Sequence, residues 1–233
     1  MHFINYAHRG ASSYRPENTM EAFEMGLQMG ANGIETDVQR TKDGVLVLFH
    51  DDTIVRMTGQ PGKIQDYTYE ELQNFDVCNY GLSGKIPRLE EFLAAFSHLD
   101  IQFAIEFKEP FTEAQTIDLL ERYHMREKTV LTSFKLECLM RAKLYAPDYK
   151  TGYLTDDVNE MVLKVLKTMD AQQVCPKGKL VTPELVQQLH EQGFSVRTWG
   201  VKSEKRMKEI YDAGVDGMTV NFPDLLTAYM TGK

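Results

Sequence analysis

The chain has 233 residues, 42% of them hydrophobic and 26% charged, which supplies a large buried core and leaves no low-complexity tract. Its net charge of −8 argues against a general nucleic-acid or anionic-membrane surface, since both need clustered Lys and Arg. The opening MHFINYAHRG lacks the pattern of a signal peptide, and no window approaches ~18 consecutive apolar residues, so no membrane span is expected.

Short β-rich runs alternate with longer helical patterns. A strand over Phe3–Ala7 leads into the helical NTMEAFEMGLQMG, followed by strands over Gly33–Val38 and Val45–Phe49. The turn TKDG between these two strands predicts a hairpin through Asp43-Gly44. Thr53 to Lys85, rich in Gly, Tyr and polar residues, fits neither strand nor long helix and reads as an insertion. IPRLEEFLAAF then resumes the alternation. Strands over Ile101–Phe107 and Thr129–Thr132 precede the helical TEAQTIDLLERYH and FKLECLMRAKLYA. Thr151–Leu154, Gln173–Cys175, Ser195–Thr198 and Gly217–Val220 complete the strands, with helical TPELVQQLHEQG and SEKRMKEIYDAG among them.

Start and stop signals support these elements. Asn18 or Thr19 can cap the first helix, and Thr182-Pro183-Glu184 reads as a cap with proline in the first turn. Gly30, Gly193 and Gly214 sit where helices would end in a left-handed residue. The repeated strand–helix alternation predicts a closed (β/α)8 barrel, a single domain over 1–233 with a small insertion, 53–85, after the second strand. An open doubly wound sheet is the competitor, but no G-x-G-x-x-G follows the first strand. Cys78, Cys138 and Cys175, with no C-x-x-C, read as free thiols of a cytoplasmic protein.

Barrel chemistry sits at the C-terminal ends of the strands, and polar groups fall there. The first strand runs into His8-Arg9-Gly10, the second ends at Glu35-x-Asp37, and the hairpin strand reaches His50. The next ends at Glu106-x-Lys108, and later strands end near Trp199 and Asn221. Residues two apart on a strand share a side, so Glu35 pairs with Asp37 and Glu106 with Lys108. Three converging carboxylates repel unless compensated, and a hard divalent cation such as Mg²⁺ or Ca²⁺ resolves that. His8 and His50 suit proton transfer near neutrality, while Arg9 and Lys108 suit an anionic phosphoryl oxygen. Together these groups suit metal-assisted cleavage of a phosphodiester.

Each group alone has a plainer reading. His8 fits a core or surface histidine, Glu35-x-Asp37 a solvated strand end, and Lys108 a simple partner for Glu106. PEN at Pro16–Asn18 reads as a helix start, and Trp199 as core rather than a platform for substrate. His2, His98, His124 and His190 carry no assigned role.

The segments AHRGASSYRPENTMEAF, GIETDVQRTKDGVLVLFHDDTIVRMTG, IPRLEEFL, AIEFK and GVDGMTVNFPD resemble the glycerophosphodiester phosphodiesterase family, in family order from His8 to Asp224. The resemblance implies Glu35, Asp37 and Glu106 as ligands of Mg²⁺ or Ca²⁺, and His8 and His50 as an acid–base pair with His50 as the acid. It also implies that Arg9 and Lys108 engage the phosphate, with Trp199 beside the substrate. The implied reaction releases sn-glycerol 3-phosphate and an alcohol from a small-molecule diester. Lysophospholipase D-type hydrolysis of lysolipids is the alternative, with Tyr67, Tyr69, Phe75 and Tyr80 of the insertion as an apolar path. A binding module on an inactive barrel is the rival class; it predicts a missing ligand or histidine, and none is missing. The chain departs from the family pattern at VRTWGVKSE and VNFPD, which concern the alcohol pocket. The sequence leaves head group, native metal and oligomeric state open.

Overall fold

The computed structural model describes residues 3–232. The chain begins with β1 (Ile4–His8), α1 (Met20–Gln28), β2 (Gly33–Arg40) and a short β3 (Leu46–Leu48). Small elements follow: α2 (Val55–Thr58), α3 (Tyr69–Leu72), β4 (Val77–Asn79) and β5 (Leu82–Gly84). Regular alternation resumes with α4 (Leu89–Phe96), β6 (Gln102–Phe107), α5 (Glu113–Arg122), β7 (Thr129–Ser133) and α6 (Leu136–Tyr145). It continues through β8 (Lys150–Thr155), α7 (Glu160–Thr168), β9 (Gln173–Pro176) and α8 (Pro183–Glu191). The chain ends with β10 (Ser195–Thr198), α9 (Glu204–Asp212), β11 (Gly217–Val220) and α10 (Pro223–Thr231).

Strands β1, β2 and β6 through β11 pair in that order, all parallel, and β11 pairs back onto β1. The sheet therefore closes into the expected (β/α)8 barrel. β3 runs antiparallel to β2, and the turn between them carries Gly44 at a φ of 84°. Thr19, not Asn18, caps α1, and Thr182 caps α8 with Pro183 in its first turn. Gly30, Gly193 and Gly214 have the expected positive φ. The hairpin β4–β5 was not foreseeable, because its residues are mostly exposed and carry no alternation of apolar and polar side chains.

Three apolar clusters hold these elements together. Phe23, Phe92 and Phe96 from α1 and α4 pack on Ile34, Phe103 and Phe107 of β2 and β6, with Phe23 and Phe92 edge to face at 4.8 Å. A second cluster packs α7 to α10 on Val174, Val196, Met218 and Val220. Burying each such side chain stabilises by about 1.5–3 kcal/mol. The third joins Val47 and Phe49 to Ile54, Ile64, Leu72 and Val77, and so ties the segment between β3 and α4 to the barrel's hairpin. The barrel interior is more polar: the buried Arg197 guanidinium lies 5.3 Å from the Tyr6 ring centroid and donates to Gln173 and Thr219.

Candidate active site

The turn after β1 is built around His8-Arg9-Gly10. At Gly10 (φ 81°) a Cβ would stand 2.3 Å from the Ala22 backbone, so only glycine lets β1 turn this close to α1. Arg9 and Asn18 both adopt a left-handed φ of 55°, costly for a non-glycine residue and held here by neighbours. Arg9 N–H donates to the Glu35 carbonyl at 2.9 Å, and Asn18 N–H donates to the Arg9 carbonyl at 3.0 Å.

Strand register brings the carboxylates together. Asp37 lies opposite Glu106 across β2–β6, and Glu35 opposite His8 across β1–β2. Oxygens of Glu35, Asp37 and Glu106 all lie within 4.8 Å of one another, on side chains that are almost wholly buried. Glu35 Oε2 and Asp37 Oδ1 have no hydrogen-bond partner, which is costly for buried polar atoms. Burial, then the charges of Asp37 and Glu106, push the Glu35 carboxyl well above its ordinary range. Burial and Asp37 push Glu106 up to about 7. Asp37 goes the other way: burial opposes its ionisation, but Arg9, Lys108 and His50 outweigh that and hold it low. Arg9 Nε stands 3.1 Å from Asp37, and Lys108 Nζ stands 2.8 Å from Glu106 and 3.7 Å from Asp37. An all-oxygen set this close together, two of its atoms unsatisfied, fits a hard divalent cation.

Both histidines are anchored through Nδ1, and His8 Nε2 stands 3.8 Å from Glu35 Oε2. His8 Nδ1 meets Asn221 Oδ1, just past β11, and His50 Nδ1 meets Asp51 Oδ1 at 2.7 Å. Burial, then the adjacent Arg9 cation, lower the His8 imidazole to about 3. PEN proves to be more than a helix start. Glu17 Oε1 accepts from Arg9 Nη1 at 2.8 Å, and Asn18 Nδ2 donates to Asp37 Oδ2 at 2.9 Å.

These groups border a cavity of about 630 Å³ at the C-terminal ends of the strands, whose lining includes His8, Arg9, Glu35, His50 and Glu106. Trp199, Phe134, Leu154 and Phe222 form its apolar wall, with Trp199 and Phe134 edge to face at 4.8 Å. Trp199 is thus a wall residue rather than hidden core. Lys108 and Asp37 lie behind the lining, and Lys108 is held on Glu106. The aromatics Tyr67, Tyr69, Phe75 and Tyr80 do not line the cavity; the first three pack on the segment's own cluster and Tyr80 is exposed. His98, His124 and His190 are exposed and apart from the cavity, while His2 lies outside the described residues. Sequence reasoning missed Phe134, Leu154 and Phe222, whose apolar character resembles core. It also missed Arg197 on the cavity floor, whose signal was a charge inside an otherwise buried strand.

Residues 8–225 match the glycerophosphoryl diester phosphodiesterase family. The chain belongs to this family. It is accordingly a phosphodiesterase, and the relatives that follow match over nearly all of their length. A glycerophosphodiester phosphodiesterase of Bacillus altitudinis is 37% identical over 232 residues, covering 94% of each chain. The crystal structure of glycerophosphodiester phosphodiesterase from Agrobacterium tumefaciens superposes with a TM-score of 0.86 at 26% identity, over 98% of this chain and 100% of that one. An Oleispira antarctica phosphodiesterase, solved in complex with the product sn-glycerol-3-phosphate, shares the fold with a TM-score of 0.87 at 24% identity, over 98% and 96%.

Proposed function

We propose that the protein hydrolyses glycerophosphodiesters to sn-glycerol 3-phosphate and an alcohol, with His8 and His50 sharing the proton transfers. One observation carries this reading: three buried carboxylates come within 4.8 Å of one another, and two of them, Glu35 and Glu106, border the same cavity as two histidines anchored through Nδ1. Glu35, Asp37 and Glu106 would hold a divalent cation, Mg²⁺ or Ca²⁺, which when bound polarises the phosphoryl group and offsets developing charge. Arg9 borders the cavity and binds a phosphate oxygen, while Lys108 acts from behind by balancing Glu106 and Asp37.

The anchors divide the histidine roles. His8 rests on a neutral amide, so its Nε2 lone pair receives the proton of the attacking oxygen. His50 rests on the Asp51 carboxylate, which balances an imidazolium, so His50 delivers the proton to the departing alkoxide. We read the chain as one catalytic domain with 53–85 inserted. Its free cysteines Cys78, Cys138 and Cys175 suit a cytoplasmic setting. Among the described residues no helix is long and apolar enough to cross a membrane.

The test is turnover of a glycerophosphodiester panel with Mg²⁺, Ca²⁺ or Mn²⁺, read as release of glycerol 3-phosphate. No release from any member by the folded protein sinks the reading. The wall of Phe134, Leu154, Trp199 and Phe222 keeps lysolipid hydrolysis as a second reading. Faster turnover of lysophosphatidylcholine than of glycerophosphocholine would favour it.

A further inference from the structure

His50 is fixed by Asp51, and what fixes Asp51 comes from outside the barrel strands. Arg56, on the four-residue α2, sets its guanidinium across two carboxylates at once. Its Nε and Nη2 reach Asp51 Oδ2 and Oδ1 at 2.5 and 2.9 Å. Its Nη2 and Nη1 reach Glu17 Oε1 and Oε2 at 2.7 and 3.1 Å. Glu17 in turn holds Arg9, and Arg9 stands against Asp37. An unbroken run of hydrogen bonds and ion pairs thus links His50, Asp51, Arg56, Glu17, Arg9 and Asp37, from a cavity imidazole to the buried carboxylates.

Oxygens of Glu17 and Asp51 and a nitrogen of His50 also lie within 4.8 Å of one another, the spacing of a possible second cation site. Arg56 already supplies that positive charge, bidentate on both carboxylates, so the cluster is a built ion network. A role in stability alone accounts poorly for it. Arg56 is 49% exposed, and exposed ion pairs contribute only about 0–1 kcal/mol. Burial works against ionised Asp51, yet hydrogen bonds from Arg56 and His50 keep its carboxyl below the ordinary range. A carboxylate pinned by a fork has one orientation, and the imidazole it accepts from has one tautomer.

We propose that Arg56 is a positioning residue for the hydrolysis, clamping Asp51 so that His50 presents Nε2 to the cavity. The segment between β3 and α4 is then part of the catalytic apparatus. This rests on the reading of His50 given above, and the experiment separates the two.

Arg56→Gly and Arg56→Lys are compared with wild type on a glycerophosphodiester at saturating Mg²⁺, with kcat, KM and melting temperature measured. Arg56→Gly should lose about 10–100-fold in kcat, with KM changed less than about threefold. Millimolar guanidinium should recover part of that loss and methylammonium none, because only a planar fork can bridge both carboxylates. Arg56→Lys, which keeps the charge but not the fork, should stay folded and still lose kcat. Full activity in Arg56→Lys, or a loss in Arg56→Gly that guanidinium leaves untouched, overturns the proposal. A wild-type protein inactive on every glycerophosphodiester instead overturns the functional reading beneath it.

Discussion

The two sides of the barrel are built differently. Strands β1, β2 and β6, with the loop after β3, contribute all the carboxylates, both histidines and the cations bound to them, within residues 8 to 108. Strands β7 to β11 contribute mostly an apolar wall, with Asn221 reaching across to His8. On the proposed reading, one side carries the chemistry and the other the shape. A barrel permits this division because each strand end is a separate loop that can vary without disturbing its neighbours.

Several measurements could break that division. Chelation should act most strongly, taking turnover to background, with Mg²⁺ or Ca²⁺ restoring it; activity that survives EDTA would empty the charged side of its cation. His8→Ala and His50→Ala should each cost about 10²–10⁴ in rate with an unchanged melting temperature. Near-wild-type turnover in either would remove that residue from the proton transfers. Asn221→Ala tests the crossing contact and should cost about 10–100-fold in kcat, as losses of an orienting partner do. A pure KM effect there would return Asn221 to the wall.

A smaller effect concerns pH. Glu106, pushed up to about 7 from an ordinary 4.5, contributes stability that is complete below 4.5 and lost as pH rises through 7 in the cation-free protein. A cation takes the place of that proton, so its stabilisation, read as a rise in melting temperature, should grow from about pH 5 to about pH 8. A flat or shrinking rise would argue against these carboxylates as ligands. Smallest of all, Trp199→Ala should raise KM roughly tenfold, the equivalent of about 1.4 kcal/mol, and leave kcat nearly intact. A fall in kcat without change in KM would give the wall a share in the chemistry.

The same division explains what could be read from the chain alone. Carboxylates and histidines at strand ends are conspicuous, because a fold has little other reason to place them beside apolar runs. Glu35, Asp37, Glu106, His8 and His50 were legible for that reason, as was the alternation that closes the barrel. Phe134, Leu154 and Phe222 were not, since an apolar residue past a strand looks the same whether it packs inward or borders a cavity. Glu17 and Arg56 were hidden differently. Their meaning lies in each other, and nothing in local pattern tells that PEN and a residue 39 positions along would share a salt bridge.

The contact of His8 with Asn221 spans the seam where β1 receives β11, the last strand of the chain to take its place. Glu35, Asp37, Glu106, His8 and His50 all lie within the first 108 residues, yet His8 gains its anchor only when the ring is complete. A fragment ending before Gly217 would carry these side chains without the Asn221 contact that orients His8.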